Sequence, residues 1–228
     1  QSAEARREWT LRALAETERL LREKPRWPDT HHWRARCLLR LGRRREAREA
    51  LREVLRIVAG LGGKHLITEE LLDGMTASET QKGLGNDAFR RGDWAAALAA
   101  YDAAIRADEG CWDVELSAQL FCNRSNIRSK TLAREAALED ATMALALKPD
   151  YAKALFRRGL IRMELARYGP ALADFEQVAS LEPGFVGLGE WLPRARRWSA
   201  RPPAKNHYAT LGLRPAATPT EVKKAYRV

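Results

Sequence analysis

Five polar side chains carry the chemistry open to this sequence. Lys82 and Asn86 are four residues apart, as are Lys153 and Arg157, and on a helix that spacing puts each pair on one face. Asn123 falls between the two pairs. If their helices line one groove, it holds three cations and two amides, with no carboxylate among the five positions. Such a set suits an anion with two carboxylates close together. Arginine can grip one of them bidentately, lysines act as point charges, and asparagine amides donate hydrogen bonds. The C-terminal carboxylate of a peptide beside an acidic side chain has that shape.

The elements that must position these residues follow from a repeat. From 79 to 182 the sequence reads as three helix-turn-helix units with the tetratricopeptide period of about 34 residues. Leu84, Gly85, Gly92, Ala97, Tyr101 and Ala104 mark the first, Ser125, Ala137, Ala144 and Pro149 the second, and Gly159, Ala171, Phe175 and Pro183 the third. The first helix of each unit normally lines the concave groove of such a superhelix. Helix pairs are expected over 79–108, 114–147 and 152–181, with a closing helix over 187–199 that uses Leu188, Trp191, Leu192 and Trp198 and contains Pro193.

Composition agrees. The 228 residues are 45% apolar and only 7% aromatic, rich in Ala, Leu, Arg and Glu, so the expected class is all-α. Lys and Arg outnumber Asp and Glu by 40 to 30. The resulting charge of +10 favours acidic partners. It does not single out nucleic acid, because runs such as Arg43-Arg44-Arg45-Glu46 read as solvated helix faces.

Upstream, 3–23 predicts an amphipathic helix, and Trp33, Ala35, Leu38, Gly42, Ala47, Leu51 and Val54 set a further helix pair over 31–58. The N-terminal part, 1–58, thus reads as the trailing end of a repeat array. Gly60, Gly62 and Gly63 predict a joint over 59–78 that contains a short helix around Thr68 to Leu72, capped by Thr68. The array then occupies 79–184, and a closing helix and basic linker with Pro202-Pro203 occupy 185–205.

Several classes find no support. Cys37, Cys111 and Cys122 have no metal spacing and cannot all pair, which fits a reducing compartment. His31 and His32 are adjacent, cannot share a helix face, and are expected in a turn rather than on a metal. Neither a phosphate loop nor a nucleophile-base set is spaced for catalysis, and no apolar run reaches membrane length, so no cofactor, enzyme activity or membrane contact is expected. Trp33, Trp94 and Trp112 read as repeat filling or joint packing.

Lys82-x-x-x-Asn86, Asn123 and Lys153-x-x-x-Arg157 resemble the two-carboxylate clamp of tetratricopeptide co-chaperones, which hold the acidic C-terminal tails of Hsp70 and Hsp90. All five positions match, and the resemblance makes Phe89 an apolar wall for the peptide. Residues 206–228 resemble the beginning of a J domain: Tyr208, Leu211 and Gly212 match its first short helix and turn. Thr218, Pro219 and Glu221 would open its second helix. The resemblance implies that Lys223, Lys224 and Arg227 form the basic face that meets Hsp70. The stretch stops before the His-Pro-Asp signature, so it is not expected to stimulate ATP hydrolysis.

Array and J-domain start together resemble co-chaperones of the DnaJ subfamily C member 7 type, which implies an adaptor for Hsp70 and Hsp90 in the cytoplasm, with the nucleus as a further location. A basic scaffold for an RNA-associated or other acidic protein is the alternative, with nucleic acid itself not expected as a partner.

Overall fold

The computed structural model describes residues 3–108 and 113–200, together with 218, 223 and 225. Among the described residues there are ten α-helices and no strand. They are α1 (Ala3–Glu23), α2 (Pro28–Arg40), α3 (Arg44–Gly60), α4 (Leu66–Arg90), α5 (Trp94–Ala107), α6 (Val114–Lys130), α7 (Arg134–Leu147), α8 (Ala152–Glu164), α9 (Tyr168–Leu181) and α10 (Leu188–Ser199). Consecutive helices pack on one another, so the fold is an all-α tetratricopeptide solenoid whose core runs along its length.

The repeat residues explain how closely the helices approach. A Cβ on Gly85 would lie 2.7 Å from the Tyr101 ring, and one on Gly159 would lie 2.6 Å from Phe175. Each glycine clears space for the aromatic ring of the second helix in its unit, and both rings are buried. Tight turns join the paired helices, with Gly42 and Gly92 at φ of 74° and 78°. Leu132 and Ala166 take the same left-handed position in the later units at φ of 63° and 55°, at some cost in backbone strain. At the far end Leu188 and Ala195 of α10 are buried against α9, Trp191 and Leu192 pack beside them, and Trp198 lies over Tyr168 with ring centroids 5.2 Å apart. The helix passes through Pro193 and starts after Gly187 at φ 90°.

Gly85→Ala should therefore displace Tyr101 and cost about 1–3 kcal/mol, the usual range for overpacking a filled core. Urea denaturation at constant m-value would measure it. A variant as stable as the parent would mean that the ring can swing away freely.

The region between the units departs from expectation. Instead of a short helix around Thr68 to Leu72, α4 runs unbroken for 25 residues. Its first half, through Leu71, Leu72 and Met75, packs on the core of α2 and α3, and its second half is the first helix of the central array. The glycines of the joint are confined to the end of α3 and the turn after it. Gly74 does not interrupt the helix; it lets α4 lie against the end of α5, where a Cβ would come 2.8 Å from the Ala107 carbonyl oxygen.

Thr68 does not cap this helix either. It is fully buried, and its hydroxyl lies 2.8 Å from Nδ1 of both His32 and His65. His31 and His32 sit inside α2 rather than in a turn. Pro28 at the first helical position and Asp29 beside it start α2 early enough to include them. Trp33 is 53% exposed with Arg36 stacked over it, so it is not repeat filling, whereas Trp94 is half-buried with its ring edge on Phe89. Trp112 lies outside the described residues.

Burial, and secondarily the nearby His65 and Arg36, push His32 down to about 4. The folded chain thus holds His32 neutral while an unfolded chain protonates it below about pH 6.5. Its contribution is complete above that value and is lost as pH falls towards 4, up to about 3 kcal/mol. Melting from pH 7 to pH 4 should show this loss, and His32→Gln should flatten the slope.

Candidate functional site

The central array opens a groove of about 410 Å³ lined by α4, α6 and the start of α8, with Tyr101 of α5 in its floor. Lys82, Asn86, Asn123 and Lys153 all line it, as does Phe89. Arg157 is not among the lining residues. It is half-buried one turn beyond Lys153, and its buried Nε has no hydrogen-bond partner. Four of the five clamp candidates and Phe89 therefore line one groove, and Arg157 follows one helical turn after Lys153.

The floor is built from the same Gly–aromatic packing that holds the array together. Tyr101, seated over Gly85, donates from its hydroxyl to Asn86 Oδ1 at 2.7 Å. Asn123 Nδ2 lies 3.4 Å from the same oxygen. The two amides are thereby oriented across α4 and α6 by a buried hydroxyl, which burial pushes up despite the opposing Asn123 amide. Tyr151, at the mouth of α8, is pushed up further by burial and by Cys122 against it, with the positive charge of Arg157 acting the other way.

Composition alone does not reveal how the cations are held. Lys82 is half-buried and donates to the side-chain oxygen of Gln119. Burial, then the charge of Arg44, lower its pKa, while Asp113, Glu79 and Glu115 act to raise it. Lys153 is exposed. Arg90, also lining the groove, pairs with Asp87 at 2.9 Å on the exposed face of α4.

Gln119, Asn126, Tyr151 and Arg90 complete the lining and were not singled out from sequence, and Tyr101 was read only as repeat filling. Gln119 could have been found there: it stands one repeat before Lys153 and so shares its level in the groove.

The remaining basic residues mostly do something else. Arg43 pairs with Glu46 on the surface, as a solvated face should. Arg124 and Arg128 instead converge on Asp140, and Arg158 and Arg162 converge one repeat later on Asp174. Both aspartates are 2% exposed. Arg44 joins the two units: it bonds Asp113, the N-cap of α6, donates to the Met75 carbonyl at 2.8 Å and reaches Glu79 at 2.9 Å.

Of the J-domain candidates, Lys223 is helical and exposed. Thr218 is exposed and outside any helix, and Lys224, Arg227 and the remainder of that expected module lie outside the described residues. No described helix is long and apolar enough to cross a membrane, and the described residues contain no cluster of three metal-ligating side chains.

Two stretches, 29–57 and 152–185, match family models described as tetratricopeptide repeats, one in each unit of the solenoid. The chain is a tetratricopeptide-repeat protein. Over 151 residues it is 32% identical to the human DnaJ homolog subfamily C member 7, a match covering 66% of this chain and 30% of that relative. The tetratricopeptide chain thus spans under a third of the length of the curated relative.

Among solved structures, the first tetratricopeptide domain of Spaghetti (RPAP3) bound to the HSP90 peptide SRMEEVD is 27% identical with a TM-score of 0.51. That match covers 55% of this chain and 98% of the other. The Caenorhabditis elegans myosin chaperone UNC-45, in complex with an Hsp90 peptide, is 27% identical with a TM-score of 0.55, covering 66% of this chain and 18% of the other.

Proposed function

We propose that this protein is a chaperone adaptor whose groove takes the acidic C-terminal tails of Hsp70 and Hsp90. The observation that carries this reading is the convergence of Lys82, Asn86, Asn123 and Lys153 on one groove, with Phe89 as an apolar wall. The peptide complexes of the RPAP3 domain and of UNC-45 support it. In this reading the terminal carboxylate and the neighbouring acidic side chain are shared between Lys82, Lys153 and Arg157, and the two asparagine amides donate to them. Arg157, whose buried Nε has no partner in the free chain, would turn to meet the ligand.

The similarity to DnaJ homolog subfamily C member 7 supports a second part, in which residues 206–228 begin a J domain whose Lys223, Lys224 and Arg227 face Hsp70. The adaptor would then bring Hsp70 to its own activating module, in the cytoplasm or nucleus, with no catalytic step by the array.

Calorimetric titration with SRMEEVD should give micromolar affinity, equivalent to roughly −7 to −8 kcal/mol, weakened by salt. The same peptide amidated at its C-terminus loses one of the two carboxylates and should bind at least about tenfold more weakly. Equal binding of the two peptides would place recognition outside the clamp. The basic-scaffold reading would then take over.

A further inference from the structure

A carboxylate of the protein itself stands directly behind the groove lining, bonded to Gln119. Glu115, in the first turn of α6, lies one turn from Gln119 on the same helix face. Lys148 Nζ donates to its Oε2 at 2.7 Å, and Gln119 Nε2 donates to its Oε1 at 3.1 Å. Gln119 in turn accepts from Lys82. A polar chain thus runs from Lys82 through Gln119 and Glu115 to Lys148, from α4 across α6 to the end of α7. Burial works to raise the Glu115 carboxyl, but Lys148 and Gln119 outweigh it and hold the group below the usual glutamate range. Glu115 therefore stays ionised.

This placement is fixed from outside the array. The turn between α2 and α3 rests on it: a Cβ on Gly42 would stand 3.7 Å from Glu115 Cβ. Arg44, the first residue of α3, grips Asp113, which caps α6 two residues before Glu115 through its bond from the Leu116 amide at 3.0 Å. The N-terminal unit thus holds the start of α6, and Glu115 with it, at the Lys82 end of the groove.

We propose that Glu115 is a resident carboxylate that competes with an acidic ligand for Lys82 and Lys148, so that the groove discriminates by how much negative charge a peptide brings to that end. The inference rests on the acidic-tail reading. A ligand carboxylate arriving at Lys82 shares the ammonium with the Gln119 oxygen and approaches Glu115, and that repulsion is strong in a half-buried site. Peptides with neutral residues at this end are disfavoured least. Those that concentrate charge there bind below the strength that the cations alone would give. Glu115 is thus a specificity residue, and Gln119 is the relay that couples it to Lys82.

The test compares the full chain with Glu115→Gln and Gln119→Ala by fluorescence anisotropy of labelled SRMEEVD at two salt concentrations, with thermal melts to show folding. Glu115→Gln should bind about three- to tenfold more tightly, with a steeper loss on adding salt, and should gain less on the amidated peptide. Gln119→Ala should shift affinity in the same direction by a smaller factor. A folded Glu115→Gln chain that binds SRMEEVD equally or more weakly overturns the proposal.

If neither parent nor variant binds SRMEEVD, the acidic-tail reading fails, and NMR titration of the Lys82 ammonium decides the inference independently. Its midpoint should fall when the neighbouring Glu115 charge is removed. An unmoved midpoint would show that the two groups do not interact.

Discussion

Replacing Asp174 by alanine should destabilise the protein by about 3–5 kcal/mol, the penalty for breaking a buried ion pair from one side. Arg158 approaches Asp174 through Nη2 at 2.7 Å and Nε at 3.1 to 3.2 Å, and Arg162 donates Nη1 to the other oxygen at 2.7 Å. With the carboxylate gone, two guanidiniums, each about four-fifths buried, face one another with no counter-charge. The loss should come from the interface of α8 and α9 and leave the N-terminal unit unaffected in early unfolding. Asp140→Ala should behave similarly, because Arg124 and Arg128 enclose it in the same way one repeat earlier. Arg124 also keeps Asp102 at 2.7 Å, so the earlier site retains one partner and should lose less. Urea denaturation of both variants would check the order. A loss below about 1 kcal/mol at Asp174 would show that the cluster is solvated despite its burial.

Lys153→Ala combined with Arg157→Ala should reduce binding of SRMEEVD by at least about a hundredfold, since two charge-assisted contacts are removed from one ligand carboxylate. Folding should survive. Lys153 is exposed and Arg157 stands outside the arginine-aspartate clusters. Circular dichroism alongside the titration separates lost binding from lost structure. Retained affinity in a folded double variant would remove α8 from the site and leave the α4 and α6 residues as an incomplete clamp.

The positions that sequence reading placed well are those set by repeat spacing. Gly85 opposite Tyr101 and Gly159 opposite Phe175 follow from steric fit within one unit, and such contacts recur at fixed offsets. Lys82, Asn86, Asn123 and Lys153 inherit their common groove from that same frame.

What escaped depends on contacts between units or on longer reach. Arginines 12 to 16 residues from their aspartates read as surface charge, because only the packed solenoid brings α6 to α7 and α8 to α9. The short helix expected in the glycine-based joint failed because Gly60, Gly62 and Gly63 act only at the end of α3 and the turn after it, while α4 runs on unbroken from Leu66. Nor could the sequence reveal Glu115 beside Lys82, since the two are connected through Gln119 and braced by Arg44 from another unit. Thr68 has the residue type of a helix cap, yet it is a buried link between His32 of α2 and His65, which precedes α4.

Helix α4 has a mechanical consequence. At about 1.5 Å per residue it is a strut roughly 37 Å long, rooted at one end in the core of the N-terminal unit and carrying Lys82, Asn86 and Phe89 at the other. A strut without a hinge converts a small tilt at its root into a larger displacement at its tip. A load on the N-terminal unit is therefore delivered to the groove as movement of one wall against α6. The two units share a lever whose long arm carries Lys82 and Asn86, two of the five clamp candidates.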